Sequence, residues 1–170
     1  HCKNYADQVT KTNALLWQRL CPQTAKKSIN FIYVEQERIV ADLFVKHHLT
    51  QPTILQKILF DDGASARFTQ QFDGLPESFS TEKQTGTYLF WYVVPTCKKH
   101  RLRLWREGGF LVAEDGKYRI PLTTDAIREG LESGVLLPSV LLTFLTMSCY
   151  YGLTCLGGMG QTSYLPRIKD

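Results

Sequence analysis

The residue with the clearest potential for chemistry is Cys155, which follows a long apolar segment and precedes a run of glycines. Residues 133–166 contain no Asp, Glu, Lys, Arg or His, so this segment is expected to be buried. A nucleophilic thiol needs a base or a positive neighbour, because only the thiolate attacks. If such a group lies beside it, Cys155 is a candidate catalytic nucleophile. The alternative interpretation is a buried, inert thiol beside glycines that permit close packing.

The glycines after Cys155 form a candidate ligand-binding loop made of Gly157, Gly158, Gly160 and Gln161. Backbone N–H groups in a glycine turn can bind phosphate or stabilise an oxyanion. A nucleotide-binding P-loop is not indicated, because no Lys-Ser or Lys-Thr pair follows and the loop comes after a predicted helix. The pattern predicts a ligand site near this loop and identifies no cofactor.

Two further candidate ligand contacts, Thr87 and Trp91, lie on the predicted strand that is richest in aromatic and β-branched residues, 87–94. The alternation of a strand places Phe90 and Tyr92 on one face and Trp91 on the other. Aromatic strand faces can stack flat ligands, although they pack into a core more often. We therefore expect this strand to be central in the sheet, or to line a pocket with one face.

The other histidines and cysteines do not form a recognisable catalytic or metal pattern. His47 and His48 are adjacent, whereas zinc-binding helices place two ligands one turn apart. The five cysteines include no CxxC pair, so no structural zinc site is predicted. Serine-hydrolase, kinase and Rossmann signatures are absent from the sequence. We expect reduced thiols and a cytoplasmic protein.

The candidate residues are expected to be positioned by helices at both ends of an α+β fold. Apolar residues at helical spacing predict helices over residues 4–20, 35–48 and 64–72, with a shorter one after Pro52. Residues 139–151 are predicted to form a buried helix that includes Cys149. Pro138 and Gly152 leave this helix too short to span a membrane, so no membrane span is expected.

Between these helices the chain is predicted to form a four-stranded antiparallel meander over residues 87–94, 101–105, 110–113 and 118–122. Asp115-Gly116 between two apolar segments is a strong hairpin signal. The predicted fold class is α+β, with the meander packed against N-terminal and C-terminal helices. We expect one domain over residues 1–170, divided into a helical half (1–75), the meander (87–122) and C-terminal helices with the glycine-rich loop (123–166).

Composition limits the classes of partner. The chain has 44% hydrophobic and 21% charged residues, as ordinary globular proteins do. Its net charge of +4 is mild, and the basic run at 98–103 is typical of a solvated turn, so nucleic-acid binding is not expected. The chain does not begin with Met, which indicates a piece excised from a larger protein.

Three functions stay open at this point. The leading hypothesis is a small-metabolite-binding or catalytic domain of a larger intracellular protein, with its site where the glycine-rich loop meets the open face of the sheet. One alternative is a protein-interaction module that uses an exposed aromatic or apolar face. Another is a thiol-dependent transferase that uses Cys155. The expected partner is therefore a small molecule, a neighbouring domain or another protein chain.

Overall fold

The structure is a computed structural model that describes residue 2 and residues 5–21, 32–96 and 100–154. The chain divides into two compact units, His1–Ile39 and Val40–Asp170. The described part of the first unit is dominated by helix α1, Tyr5–Leu20. Asn13 Nδ2 donates a hydrogen bond of 2.7 Å to Tyr33 Oη within this unit.

Helix α2, Gln36–Leu43, continues as a π-helical turn, Phe44–His48. The helices that follow it begin at side chains that cap them. Helix α3, Ile54–Phe60, begins at Thr53, whose hydroxyl accepts from Gln56 N. Asp61 caps α4, Asp62–Phe72, in the same way by accepting from Ala64 N. Polar caps of this kind satisfy backbone N–H groups that the helix itself leaves unpaired.

Two more helices follow the meander. Thr123 caps α5, Thr124–Ser133, which ends at Gly134 in the left-handed conformation that glycine adopts readily. Ser139 caps α6, Val140–Phe144, which continues as a second π-helical turn, Leu145–Tyr150. Within the residues that the structure describes, no helix has the length and apolarity needed to cross a bilayer.

The sheet is antiparallel and curled, and it confirms the predicted meander while adding one strand. The strands are β1 Phe90–Val93, β2 Arg101–Glu107, β3 Phe110–Ala113, β4 Arg119–Pro121 and β5 Leu136–Pro138, in the order β4-β3-β2-β1-β5. The prediction of four strands is therefore wrong by one. The added strand has three residues between the end of α5 and the cap of α6, which is too short for a periodic signal.

The two faces of the sheet differ in burial. Phe90, Leu102 and Leu104 share the face that is packed into the core, and Phe44 contacts Phe90 edge-on at 5.9 Å between ring centroids. The pairing of Trp91 with Arg103 puts both residues on the opposite face, which we call the open face.

The predicted burial of residues 139–151 is only partly correct. Leu142 and Leu145 are buried, whereas Val140 is 51% exposed and Cys149 is exposed. The expectation that this helix buries Cys149 is therefore wrong. The hydrogen-bonding pattern changes from α to π at residue 145, and an i→i+5 turn rotates the following side chains away from the faces that α-helical spacing predicts.

Candidate functional site

The structure places only some of the predicted site residues. Thr87 and Trp91 lie within the described residues. Cys155 and the predicted loop residues Gly157, Gly158, Gly160 and Gln161 lie outside them. The roles predicted for these five residues therefore stay predictions.

Thr87 and Trp91 line one cleft of about 470 Å3, which we call the Trp91 cleft. Its other walls come from the loop at residues 74–86, which connects α4 to β1, and from the start of α6. Opposite the strand, the lining residues are Glu77, Ser78, Lys83, Ser139 and Val140, among others. The cleft therefore combines an indole wall, hydroxyl groups and one side chain of each charge.

The loop of the cleft is held close to the strand by Gly86. Its φ of +67° is unfavourable for other residues, and a Cβ there would lie 2.2 Å from the Ser78 carbonyl oxygen. Ser80 and Thr85 exchange backbone hydrogen bonds of 2.8 and 3.2 Å, which close the loop on itself. Asp73 accepts a hydrogen bond of 2.9 Å from the Thr81 backbone N–H. These contacts fix the shape of the wall opposite Trp91.

Thr87 positions the strand, and its hydroxyl is occupied by backbone groups. The residue is 2% exposed, and its Oγ1 accepts from Leu104 N at 2.9 Å. The same hydroxyl lies within donating distance of the carbonyl oxygens of Phe90 and Leu104. Thr87 therefore joins the beginning of β1 to β2, and a ligand must draw its polar contacts from other residues of the cleft.

Trp91 supplies the aromatic wall. The residue is half-buried on the open face, and the Arg101 guanidinium carbon lies 4.4 Å from the centroid of the indole. A cation stacked on an indole is attracted by the ring quadrupole and restricts the orientation of the ring. The Trp91 wall is therefore preorganised before any ligand arrives.

Ser78 brings a buried hydroxyl to the lining of the cleft. Its Oγ is buried and has no hydrogen-bond partner among the described residues. Ser139, by contrast, accepts from Leu142 N at 3.1 Å as the cap of α6. Because an unsatisfied buried hydroxyl is unfavourable, Ser78 is a natural hydrogen-bonding partner for a ligand atom.

A second cluster of chemically capable side chains forms where the two π-helical turns meet. Tyr150 Oη lies 3.4 Å from His47 Nε2, and Tyr151 Oη lies 3.4 Å from His48 Nε2. His48 Nδ1 lies 3.0 Å from Thr53 Oγ1. π-helical turns are rare and occur often at functional sites. No sequence pattern predicts that the two adjacent histidines contact the two adjacent tyrosines.

Burial controls the protonation of this cluster. His48 is completely buried, and burial, reinforced by repulsion from His47, lowers its pKa to about 4. Burial and the neighbouring Tyr150 raise the pKa of Tyr151. At neutral pH the pair is therefore a neutral imidazole beside a protonated phenol. Both shifts hold the pair in its uncharged form at neutral pH, and the contact with Thr53 orients the imidazole.

Cys2, Cys21 and Cys149 are not part of a disulfide. The described residues contain no group of three His, Cys, Asp or Glu side chains arranged to hold a metal ion. In comparisons with known proteins, no family model, no curated protein and no solved structure matches the chain.

Proposed function

We propose that this protein binds a small molecule in the Trp91 cleft. The observation that carries the proposal is the unpartnered, buried Ser78 hydroxyl in a cleft that Trp91 also lines. Small-molecule sites combine apolar or aromatic walls with a few placed polar groups. The indole supports a flat or apolar part of the ligand, and the hydroxyl of Ser78 gives it orientation.

The size of the cleft supports a metabolite-sized ligand. Its volume of about 470 Å3 lies within the usual range for small-molecule pockets, roughly 300–1,000 Å3. Glu77 and Lys83 add one negative and one positive group to the lining. The cleft therefore suits a polar molecule with an apolar portion, in agreement with the leading hypothesis from the sequence.

The proposal is tested with a metabolite library screened by thermal shift on the purified chain. The affinity of the strongest hit is then measured in Ser78→Ala and Trp91→Phe. Removing the hydrogen bond of Ser78 should weaken binding by about 1 kcal/mol. The matched controls are Ser133→Ala and Trp17→Phe, since neither residue lines the cleft. A hit that loses equal affinity in the variants and in the controls would refute binding at this cleft.

For the interaction-module hypothesis, the sequence leaves open which face of the aromatic strand would meet a partner. Tyr88, Phe90 and Tyr92 are at most 8% exposed, so they offer no surface to a partner. On strand β1, an aromatic docking surface would use the open face around Trp91. A partner chain that competes with the small-molecule hit for binding would favour this alternative.

The thiol-transferase hypothesis also stays a proposal, with Cys155 as nucleophile. Its support is the sequence around Cys155, since backbone N–H groups of the glycines at 157, 158 and 160 can stabilise an oxyanion beside the thiol. A catalytic thiol must be accessible and have a lowered pKa. Cys155 should then react with iodoacetamide at pH 7 faster than Cys2 and Cys149, which are exposed. Alkylation of Cys155 at or below the rate of these two thiols would exclude the hypothesis.

A further inference from the structure

A second cavity lies on the side of the sheet opposite the Trp91 cleft, between β2 and helix α4. Arg106 alternates with Arg103 and Trp105 along β2, so it projects from the face that carries Leu104. We call this cavity of about 430 Å3 the Arg106 groove. Its lining consists of Arg106 and one stripe of α4: Asp62, Ser65, Ala66, Thr69 and Gln70.

The guanidinium of Arg106 and the carboxylate paired with it differ greatly in solvent exposure. Its Nη2 donates to Asp62 Oδ1 at 2.6 Å. The Arg106 side chain is 12% exposed, whereas that of Asp62 is 87% exposed. The Arg106 Nε is buried and has no partner among the described residues. Within the part of the chain that the structure describes, this largely desolvated cation is therefore paired only with a carboxylate that is exposed to water.

In an ion pair of this kind, another anion can replace the exposed carboxylate. An exposed carboxylate contributes little to a pair, because water and salt screen it. A guanidinium has five N–H donors in a planar fork that matches the two oxygens of a carboxylate or phosphate. An incoming oxyanion can replace Asp62 without leaving the buried charge unpaired.

The rest of the groove provides room and further donors. Ala66 has the smallest side chain of the stripe and leaves space in front of α4. Within the described ranges, the side chains of Thr69 and Gln70 have no hydrogen-bond partner, so a hydroxyl and an amide remain to contact a ligand. Ser65 is already engaged, because its Oγ lies 2.6 Å from Tyr88 Oη.

We propose that the Arg106 groove is a binding site for a small oxyanion, the carboxylate or phosphate group of a ligand. The anion binds the guanidinium of Arg106 and displaces Asp62 into solvent. The groove is separate from the Trp91 cleft, so this inference does not depend on the function proposed above.

Two substitutions should change anion affinity in opposite directions. Inorganic phosphate and acetate are titrated separately into the chain, at fixed pH and at an ionic strength held constant with NaCl. We expect a saturable rise in melting temperature with at least one of the two anions. Asp62→Asn should strengthen binding by about 3-fold, since it removes the competing charge. Arg106→Gln should weaken it at least ~10-fold, since it removes the charged donor.

The controls separate a site from general charge effects. Arg67→Gln also removes one positive charge, from helix α4 at a position that does not line the groove, and should leave the affinity unchanged. If Arg106→Gln does not fold by circular dichroism, Arg106→Lys replaces it and should still weaken binding, because the planar fork is lost. Stabilisation by phosphate alone assigns the site to phosphate groups, and stabilisation by both anions extends it to carboxylates. Absence of saturable stabilisation by either anion, weaker binding in Asp62→Asn, or an equal loss in Arg67→Gln would overturn the proposal.

Discussion

At the scale of single residues, polar groups inside this molecule are not all satisfied in the same way. Thr87 and His48 are buried and bonded, whereas Ser78 and Arg106 each keep a buried polar atom without a protein partner. The satisfied groups position the backbone or hold one protonation state. Other buried polar atoms that are unpaired among the described residues belong to side chains that line neither cavity: Arg103, Trp105 and Thr146. Ser78 and Arg106 combine such an atom with a cavity, which is why both proposed ligand sites are built on them.

His48 should make stability depend on pH over a defined window. Burial lowers the pKa of His48 from 6.5 to about 4, so the unfolded chain binds its proton first as the pH falls. The folded state is most stable with His48 neutral, above pH 6.5, and it loses this stability progressively as the pH falls towards 4. This loss of unfolding free energy should reach about 3 kcal/mol, because each unit of pKa difference contributes about 1.36 kcal/mol.

The measurement is urea unfolding of the chain and of His48→Gln between pH 7 and pH 4. The variant should show a smaller loss of unfolding free energy across this window. Equal pH dependence in the two proteins would show that His48 is not the group responsible.

At the scale of elements, the cleft depends on how closely the loop at 74–86 approaches β1. Gly86 and Gly116 have nearly the same positive φ, +67° and +68°. A Cβ at Gly86 would meet Ser78 O at 2.2 Å, whereas one at Gly116 would meet nothing within 4 Å. Comparing the same substitution at the two positions therefore separates the cost of backbone strain from the cost of displacing the loop.

Gly86→Ala should destabilise the protein more than Gly116→Ala does. Left-handed strain costs about 1–2 kcal/mol at either position. Displacing the loop should add about 1–3 kcal/mol at Gly86 alone. Chemical denaturation of the two variants gives the difference. Equal destabilisation would mean that the loop can move away from β1 without cost.

Helix α6 offers a matched pair for testing which of its faces is buried. Leu142 is fully buried, whereas Val140 is 51% exposed on the same helix. Leu142→Ala should cost about 2–5 kcal/mol because it leaves a cavity in the core. Val140→Ala should change stability by only about 0.5 kcal/mol. Similar costs in denaturant unfolding would contradict the assigned orientation of α6.

At the scale of the whole molecule, sequence patterns predict the elements better than the sites. The four predicted strands and their antiparallel pairing are confirmed, because alternation and the Asp115-Gly116 turn are local signals. The exposure of Cys149 was not predictable, since the change to π-helical bonding has no signature in the composition.

The candidate sites depend on contacts between distant parts of the chain. His47 and Tyr150 are 103 positions apart, and Arg106 and Asp62 are 44 apart. No spacing rule connects residues at such separations. Thr87 and Trp91 were identifiable as candidates from their strand, but the wall that faces them comes from a loop without a motif.

The most direct test of the central claim is indole NMR during titration with the strongest metabolite hit. With 15N-labelled tryptophan, the Trp91 Nε1–H signal should shift saturably, because Trp91 lines the cleft. The Trp17 signal should stay in place, since Trp17 is not among the residues that line the cleft. A saturable shift of Trp91 with an unmoved Trp17 is the result that we predict. A hit that binds while the Trp91 signal does not move would contradict ligand binding in the Trp91 cleft.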